Sequence, residues 1–152
     1  MSQWGRAIGL LALLAVTVAC DSGDDATKDG LFVLPYEGGL DAAIASRPVI
    51  ITETGCAYTP LADGDALLLA FSRGAELARD PNRVVLPDGS EVIDGETYDF
   101  GGGGMDQAEL ELPQLQPTYE ATVEACRRSG VTDLAPGALW VASVHPVGWA
   151  SV

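Results

Sequence analysis

The chain contains 152 residues, of which 22 are acidic and 8 are Lys or Arg, giving a formal net charge of −14. A surface this acidic repels phosphate backbones and anionic lipid headgroups, so we expect no nucleic-acid partner. The length suits one domain, whose core is large enough to fold without a metal or another cofactor.

The first twenty residues have the features of a lipoprotein signal. An apolar run of about 12 residues, Ile8–Ala19, ends at Cys20 and gives way to acidic, polar sequence. That length suits a signal peptide and falls short of the ~20 residues that span a bilayer as a helix. The residues Thr17–Ala19 resemble a bacterial lipobox, with Thr in place of the commoner Leu. We therefore predict that residues 1–19 are removed and that Cys20 is acylated; an ordinary secretory signal or a transmembrane anchor is the alternative.

Acylation at Cys20 would anchor the mature chain to a membrane. Two acyl chains, at ~0.8 kcal/mol per buried methylene, hold a protein where one chain would not. The expected location is the cell membrane or the outer membrane, with the chain on the extracytoplasmic side. Residues 20–30 are polar and acidic, which predicts a flexible tether, and residues 31–152 are expected to form a single β-rich domain. Because Arg6 leaves with the signal peptide, the mature chain carries a net charge of −15.

Two cysteines, Cys56 and Cys126, remain beside the acylated one. An even pair in an exported protein indicates a disulfide. Closing a loop of 70 residues would stabilise the domain by about 4 kcal/mol. Free or metal-binding thiols are the alternative, but a single histidine and no CxxC motif provide no zinc ligand set. The spacing of Asp24, Asp25 and Asp29 does not match a calcium loop either, so no metal site is predicted.

Short apolar or β-branched runs separated by turn residues predict a mainly β domain. The expected strands are Leu31–Leu34, Pro48–Glu53, Cys56–Tyr58, Ala66–Phe71, Val84–Leu86, Glu91–Ile93, Thr97–Phe100 and Leu139–Val144. The turn residues Pro87–Ser90 join two of these strands in a hairpin. One helical turn is expected at Leu40–Ser46.

One short α-helix is expected before the last strand. Two prolines interrupt Leu110–Pro117, which predicts an extended connection. Thr118 is placed to cap a helix over Tyr119–Arg128. Several strands followed by one helix and a final strand favour a small β-barrel, of the OB-like kind, or a β-sandwich.

Four consecutive glycines, Gly101–Gly104, follow one of the expected strands. A glycine run can cradle phosphate where it opens a helix, but the residues that follow contain no Lys-Ser or Lys-Thr pair. Since glycine permits positive φ and close backbone approach, a tight bend or a bulge in the barrel wall is the expected structure.

Several of these features occur together in one pattern. It consists of Gly55–Tyr58, the apolar Leu67–Phe71, the hairpin Val84–Glu96, Gly101–Gly103 and Cys126. This pattern resembles an uncharacterised family of small secreted or lipoprotein domains from high-GC bacteria. The resemblance implies a disulfide-linked β-domain on the cell surface, and it implies no activity. Where those relatives often carry Trp-Pro-x-Gly after the apolar strand, this chain has Phe71–Gly74.

The residues offer little support for catalysis. His145 is the single histidine, and no G-x-S-x-G motif accompanies it, so a hydrogen-bonded, structural imidazole is the expected role. Glu109 and Glu111 would lie on one face of a strand and could serve an envelope hydrolase, which is the alternative function. We therefore predict no catalytic residue and no enzyme activity.

Exposed aromatic residues favour a binding role. Trp140 lies in the last expected strand, where its side chain could instead belong to the core. Trp149 lies in the C-terminal tail, where an indole must dock on the domain or contact a partner. Both are candidate binding residues for an envelope protein, a peptide or a glycan. A purely structural role in the envelope is the remaining alternative.

Overall fold

The computed structural model describes residues 30–37 and 42–149. The predictions on residues 1–19, on the acylation of Cys20 and on most of the tether lie outside these residues. Within them the chain forms ten strands and two helices: β1 (Phe32–Val33), β2 (Ala42–Pro48), β3 (Ile50–Ile51), β4 (Ala57–Pro60), β5 (Ala66–Phe71), β6 (Glu76–Ala78), β7 (Arg83–Val85), β8 (Glu91–Ile93), β9 (Thr97–Met105), α1 (Gln107–Leu110), α2 (Gln116–Arg128) and β10 (Leu134–His145).

The main sheet has seven strands in the order β2-β9-β10-β5-β4-β3, with β1 paired to the end of β5. Strand β5 is buried along most of its length, as its continuous apolar sequence predicts. It pairs in parallel with β10 on one side and antiparallel with β4 on the other. Strand β10 also pairs antiparallel with β9, so the last strand of the chain lies at the centre of the sheet.

A second sheet of three antiparallel strands, β6-β7-β8, packs against one face of the main sheet. Val84 and Val92 from the small sheet share a core with Leu69, Phe71 and Phe100 from the large one. On the other face, the two helices cover a second core. Its fully buried members include Phe32, Leu34, Leu110, Leu115 and Cys126. No helix in the described ranges is long and apolar enough to cross a bilayer.

The mainly β class is confirmed, and the helix before the last strand is present. The two sheets do not close into a barrel, because β2 and β3 stand at the two ends of the main sheet. The helical turn expected at Leu40–Ser46 is also wrong, since Ala42–Pro48 pairs with β9 as a strand. Pairing across the sheet outweighs the helix propensity of the alanines there.

The connection expected to be extended is partly helical. Helix α1 begins at a capping box, in which Asp106 accepts the backbone N–H of Glu109 and Glu109 accepts that of Asp106. Helix α2 then begins before Thr118, with Leu115 at the N-cap and Pro117 in the first turn. Proline is tolerated there because the first-turn N–H groups have no partner within the helix.

The glycine run lies inside β9, and the bulge predicted for this region is in its partner strand β10. Gly102 pairs with Val141 and Gly101 with Ser143, so the irregularity falls in β10, at Ala142. A Cβ on Gly102 would overlap the carbonyl oxygen of Trp140. Glycine is required in β9 because the two backbones approach each other so closely.

The predicted disulfide is confirmed. Cys56 and Cys126 are bonded, and both are fully buried. The bond ties the last turn of α2 to the segment that precedes β4. Beside it, the Thr54 hydroxyl donates to the carbonyl oxygen of Ala125 (3.1 Å), which connects the same two segments a second time.

The core contains one buried hydroxyl group whose cost to stability can be measured. Thr59 on β4 is fully buried, and its Oγ1 has no hydrogen-bond partner among the described residues. Thr59→Val keeps the shape and removes the unpaired hydroxyl, so we expect the free energy of unfolding to rise by about 1 kcal/mol in urea denaturation. The matched control is Thr54→Val, which deletes a bonded hydroxyl and should lower that free energy. A lower stability for Thr59→Val would contradict this account.

Candidate binding site

A buried carboxylate organises the end of the main sheet. Asp99 lies on β9 directly opposite His145 on β10 and is fully buried. Its Oδ1 accepts the backbone N–H of Ser46 (2.7 Å), and its Oδ2 accepts that of Gly148 (2.9 Å). Ser46 has a left-handed φ of 40° at the irregularity in β2. Asp99 therefore fixes both the edge strand and the turn that follows β10.

That turn presents Trp149. The N–H of Trp149 donates to the carbonyl oxygen of Pro146 (3.2 Å), and the indole stacks on His145. The two rings are nearly parallel, with 3.6 Å between their centroids and 13° between their planes. Even so, Trp149 remains 42% exposed. An aromatic side chain is thus held in one orientation while much of its surface stays in contact with water.

His145 is also fixed from the side of the strand. Its Nε2 lies 2.9 Å from the hydroxyl of Ser143, two residues earlier on β10. Gly101 faces Ser143 across the sheet, and a Cβ there would overlap the Ser143 hydroxyl. The glycine run therefore leaves room for the Ser143–His145 pair.

A second aromatic pair lies near the start of the described chain. Tyr36 packs edge-on against Trp140, with 5.3 Å between ring centroids. The indole N–H of Trp140 donates to the Ser72 hydroxyl (3.1 Å). Tyr36 is 36% exposed, and partial burial followed by the negative charge of Glu109 raises its pKa. The phenol of Tyr36 thus stays neutral, with its hydroxyl available as a donor.

A cleft of about 170 Å³ adjoins this second pair. Its lining consists of Glu37, Ser72, Arg73, Leu86, Pro87, Asp88 and Ala142. Ser72 binds Trp140, and Glu37 follows Tyr36 directly in the chain. We use the name aromatic cleft for this cleft together with Tyr36 and Trp140, which contact or adjoin its lining residues.

Asp88 is the second carboxylate in the lining of the cleft. The hydroxyl and the backbone N–H of Ser90 both donate to Asp88 and hold the pKa of its carboxyl below the usual value. Asp88 is therefore an ionised acceptor at neutral pH.

Another cleft, of about 250 Å³, lies where α2 leads into β10. Tyr58, Asp65 and Thr132 are among its lining residues. It contains no tryptophan, and Tyr58 also packs against the second core. The aromatic cleft is smaller, but it combines exposed rings with charged groups of both signs.

Of the two predicted binding residues, Trp140 is half-buried against the second core and donates to Ser72, which lines the cleft. Trp149 lies in the turn after β10, stacked on His145, and the binding role of both residues stays a prediction. Sequence reasoning missed Asp99 and Tyr36, because their roles depend on strand register and on contacts between distant segments. Glu109 and Glu111, predicted on one face of a strand, lie instead in α1 and at its C-cap. No group of three potential metal ligands occurs in residues 30–37 and 42–149.

The chain matches no protein-family model, no curated protein and no solved structure. The resemblance to small lipoprotein domains therefore remains a prediction.

The role of Asp99 in orienting Trp149 can be tested. Asp99→Asn replaces one acceptor oxygen with an amide that cannot accept a backbone N–H, so we expect a loss of about 2 kcal/mol in unfolding free energy. In a background with Trp4→Phe and Trp140→Phe, which leaves Trp149 as the single tryptophan, its emission should also become more accessible to acrylamide. Asp94→Asn is the matched control, because Asp94 accepts the N–H of Ile51 elsewhere in the fold. Unchanged quenching in Asp99→Asn would show that the stack forms without this carboxylate.

Proposed function

We propose that this chain is a lipoprotein of the cell envelope, anchored through Cys20, whose folded domain binds a ligand through the exposed indole of Trp149. The observation that carries the proposal is the state of Trp149, which is exposed and yet held in place by His145 and by Asp99 through Gly148. The domain has the layers of a small β-sandwich with helices on its outer face.

Physical chemistry supports a role for a fixed, exposed indole. Leaving part of a large apolar ring in water forgoes about 25 cal/mol for each Å² that could have been buried. A free indole at a chain end would also have to lose rotational freedom when it met a partner. Here that freedom is already restricted, so a ligand gains contact with less loss of entropy.

The N-terminal sequence and the disulfide support the location. The apolar run before Cys20 has the length of a signal peptide. A buried disulfide persists in oxidising compartments, which is where an exported lipoprotein resides. We place the domain on the extracytoplasmic side of the cell membrane or the outer membrane.

Binding accounts for the polar groups better than catalysis does. The carboxylate of Glu109 accepts the N–H of Asp106, and that of Glu111 accepts the side-chain amide of Gln107. Both groups are thus engaged in local bonds of α1, which weakens the alternative of an envelope hydrolase that uses them. His145 and Ser143 bond to each other, and we assign them a positioning role beneath Trp149.

The anchor is tested by intact mass on protein extracted from its native membrane. We expect a chain that begins at Cys20 and carries two or three acyl groups, because the small Ala19 precedes the cysteine as lipobox processing requires. In the variant Cys20→Ser, the protein should leave the membrane fraction or keep residues 1–19. An unmodified chain beginning at another residue would overturn the lipoprotein assignment and leave plain secretion.

The binding site is tested through Trp149, using the lipoprotein in detergent with Trp140→Phe. Purified wall polymer, purified envelope proteins and lipid vesicles are added separately. At least one fraction should shift the emission of Trp149 in a saturable way, and Trp149→Ala should weaken retention on that fraction by tenfold or more. Val147→Ala, in the same tail and also exposed, is the control. If no fraction shifts the emission and Trp149→Ala changes no retention, the binding proposal fails.

A further inference from the structure

We propose that the aromatic cleft binds a free amino acid with a small apolar side chain, in its zwitterionic form. Trp149 does not line this cleft, so the inference goes beyond the proposed function and does not rest on it. It follows from the lining residues themselves, which bring hydrogen-bond donors, carboxylates and apolar surface together in one small volume.

Two neighbouring turns form walls of the cleft and hold its polar groups in place. The first is the turn Ser72–Ala75, closed by a backbone hydrogen bond between its end residues (3.2 Å). Within it, the N–H of Arg73 donates to the carbonyl oxygen of Tyr36 (3.0 Å). The second is the turn Pro87–Ser90 between β7 and β8. A Cβ on Gly74 in the first turn would lie 3.4 Å from the proline ring of the second, so the two walls are in close proximity.

The first wall carries two donors that the described residues do not use. Ser72 is only 7% exposed, and its hydroxyl accepts the indole N–H of Trp140 (3.1 Å). The proton of that hydroxyl has no acceptor among the described residues. In residues 30–37 and 42–149, the guanidinium of Arg73 likewise takes part in no hydrogen bond or ion pair. Since a guanidinium fork matches the two oxygens of a carboxylate, we assign the ligand's carboxylate to this wall.

The other charged groups of the lining are carboxylates. Asp88 lies in the second wall, and its Oδ1 accepts both the hydroxyl and the N–H of Ser90, which leaves Oδ2 available. Glu37 bonds to no other residue in the described part of the chain. Two carboxylates beside one guanidinium give the cleft a surplus negative charge, which an ammonium group compensates. A carboxylate alone would meet this surplus and an amine alone would meet Arg73, whereas a zwitterion satisfies both kinds of group.

The apolar lining and the volume determine the rest of the ligand. Leu86, Pro87 and Ala142 supply the apolar surface. The volume of about 170 Å³ is below the ~300–1,000 Å³ of pockets that hold drug-sized ligands. An amino acid carries its ammonium group, its carboxylate and its side chain on one carbon atom, so it can reach all three kinds of surface in a small space. A charged side chain would lose hydration against the apolar surface, so a small apolar one fits best.

The test titrates the full lipoprotein in detergent with alanine, valine and leucine, each in both enantiomeric forms. Binding is followed by calorimetry and by the NMR signals of the indole N–H groups. We expect at least one amino acid to bind saturably and to shift the signal of Trp140, because Ser72 connects that indole to the cleft. The signal of Trp149 should not move. The N-acetyl derivative of the same amino acid lacks the ammonium group and its amide lacks the carboxylate, so each should bind at least tenfold more weakly.

Arg73→Met and Glu37→Gln each remove one of the charges that the zwitterion needs, and each should weaken binding by tenfold or more. Arg128→Met is the matched control, since Arg128 is also exposed but lies at the end of α2 and does not line the cleft. Circular dichroism checks that each variant folds. Both replaced side chains are exposed, so we expect no change in the spectrum.

Failure of every amino acid to bind would overturn the inference, and so would full binding in the folded Arg73→Met variant. Equal binding of the amide or of the N-acetyl derivative would show that one charge suffices and would overturn the zwitterion assignment. Trp149→Ala should leave amino-acid binding unchanged, and a loss there would move the ligand out of the cleft. Because envelope fractions are tested through Trp149 and amino acids through Arg73, the two proposals can fail separately.

Discussion

The close approach of β9 and β10 is the constraint on which the rest of this structure depends. At Gly102 the two backbones come so near that any side chain would overlap the Trp140 carbonyl. Glycine within a strand costs about 0.5–1 kcal/mol relative to alanine, and β9 contains four in succession. In return, β10 lies at the centre of the main sheet, with Ala142 displaced toward the cleft and His145 opposite Asp99. The pairing of β9 with β10 therefore positions both the core of the main sheet and the residues of the candidate site.

Asp99 shows how the interior and the surface are connected. A buried carboxylate is tolerated only when its oxygens are well bonded, and here two backbone N–H groups from distant segments supply those bonds. One donor holds Ser46 in an unfavourable left-handed conformation, and the other positions the turn that carries Trp149. The polar core group thus determines the geometry of an exposed ring.

Local signals in the sequence were sufficient for part of this fold. The turn Pro87–Ser90 and the flanking β-branched residues predict the hairpin of β7 and β8, and the continuous apolar run predicts β5. The disulfide was predictable because two cysteines remain once Cys20 is set aside as the predicted acylation site. By contrast, closure of a sheet depends on whether its end strands meet, which no local pattern encodes. For the same reason the barrel prediction was wrong, and so was the helical turn expected at Leu40–Ser46.

At the candidate site, the sequence pointed only to the two tryptophans, Trp140 and Trp149. Trp149 attracts attention because an indole in a terminal tail needs a contact, and that inference requires no knowledge of register. Nothing in the sequence distinguishes Asp99 from the other acidic residues, of which the chain has 22 in all. Its role becomes visible only when the register of β9 and β10 is known. Tyr36 likewise meets Trp140 only through the pairing of β1 with β5. Contacts between distant segments decide these roles.

The disulfide determines whether a proteolytic cut separates the chain into two pieces. Exposed backbone between the two cysteines includes the turn at Asp63 and Gly64 and the segment around Leu112. A single cut at either place divides the chain, yet Cys56 stays on one piece and Cys126 on the other, so the pieces remain covalently joined. The first cut in this loop therefore releases no fragment, whereas reduction of the disulfide or a second cut elsewhere in the chain does.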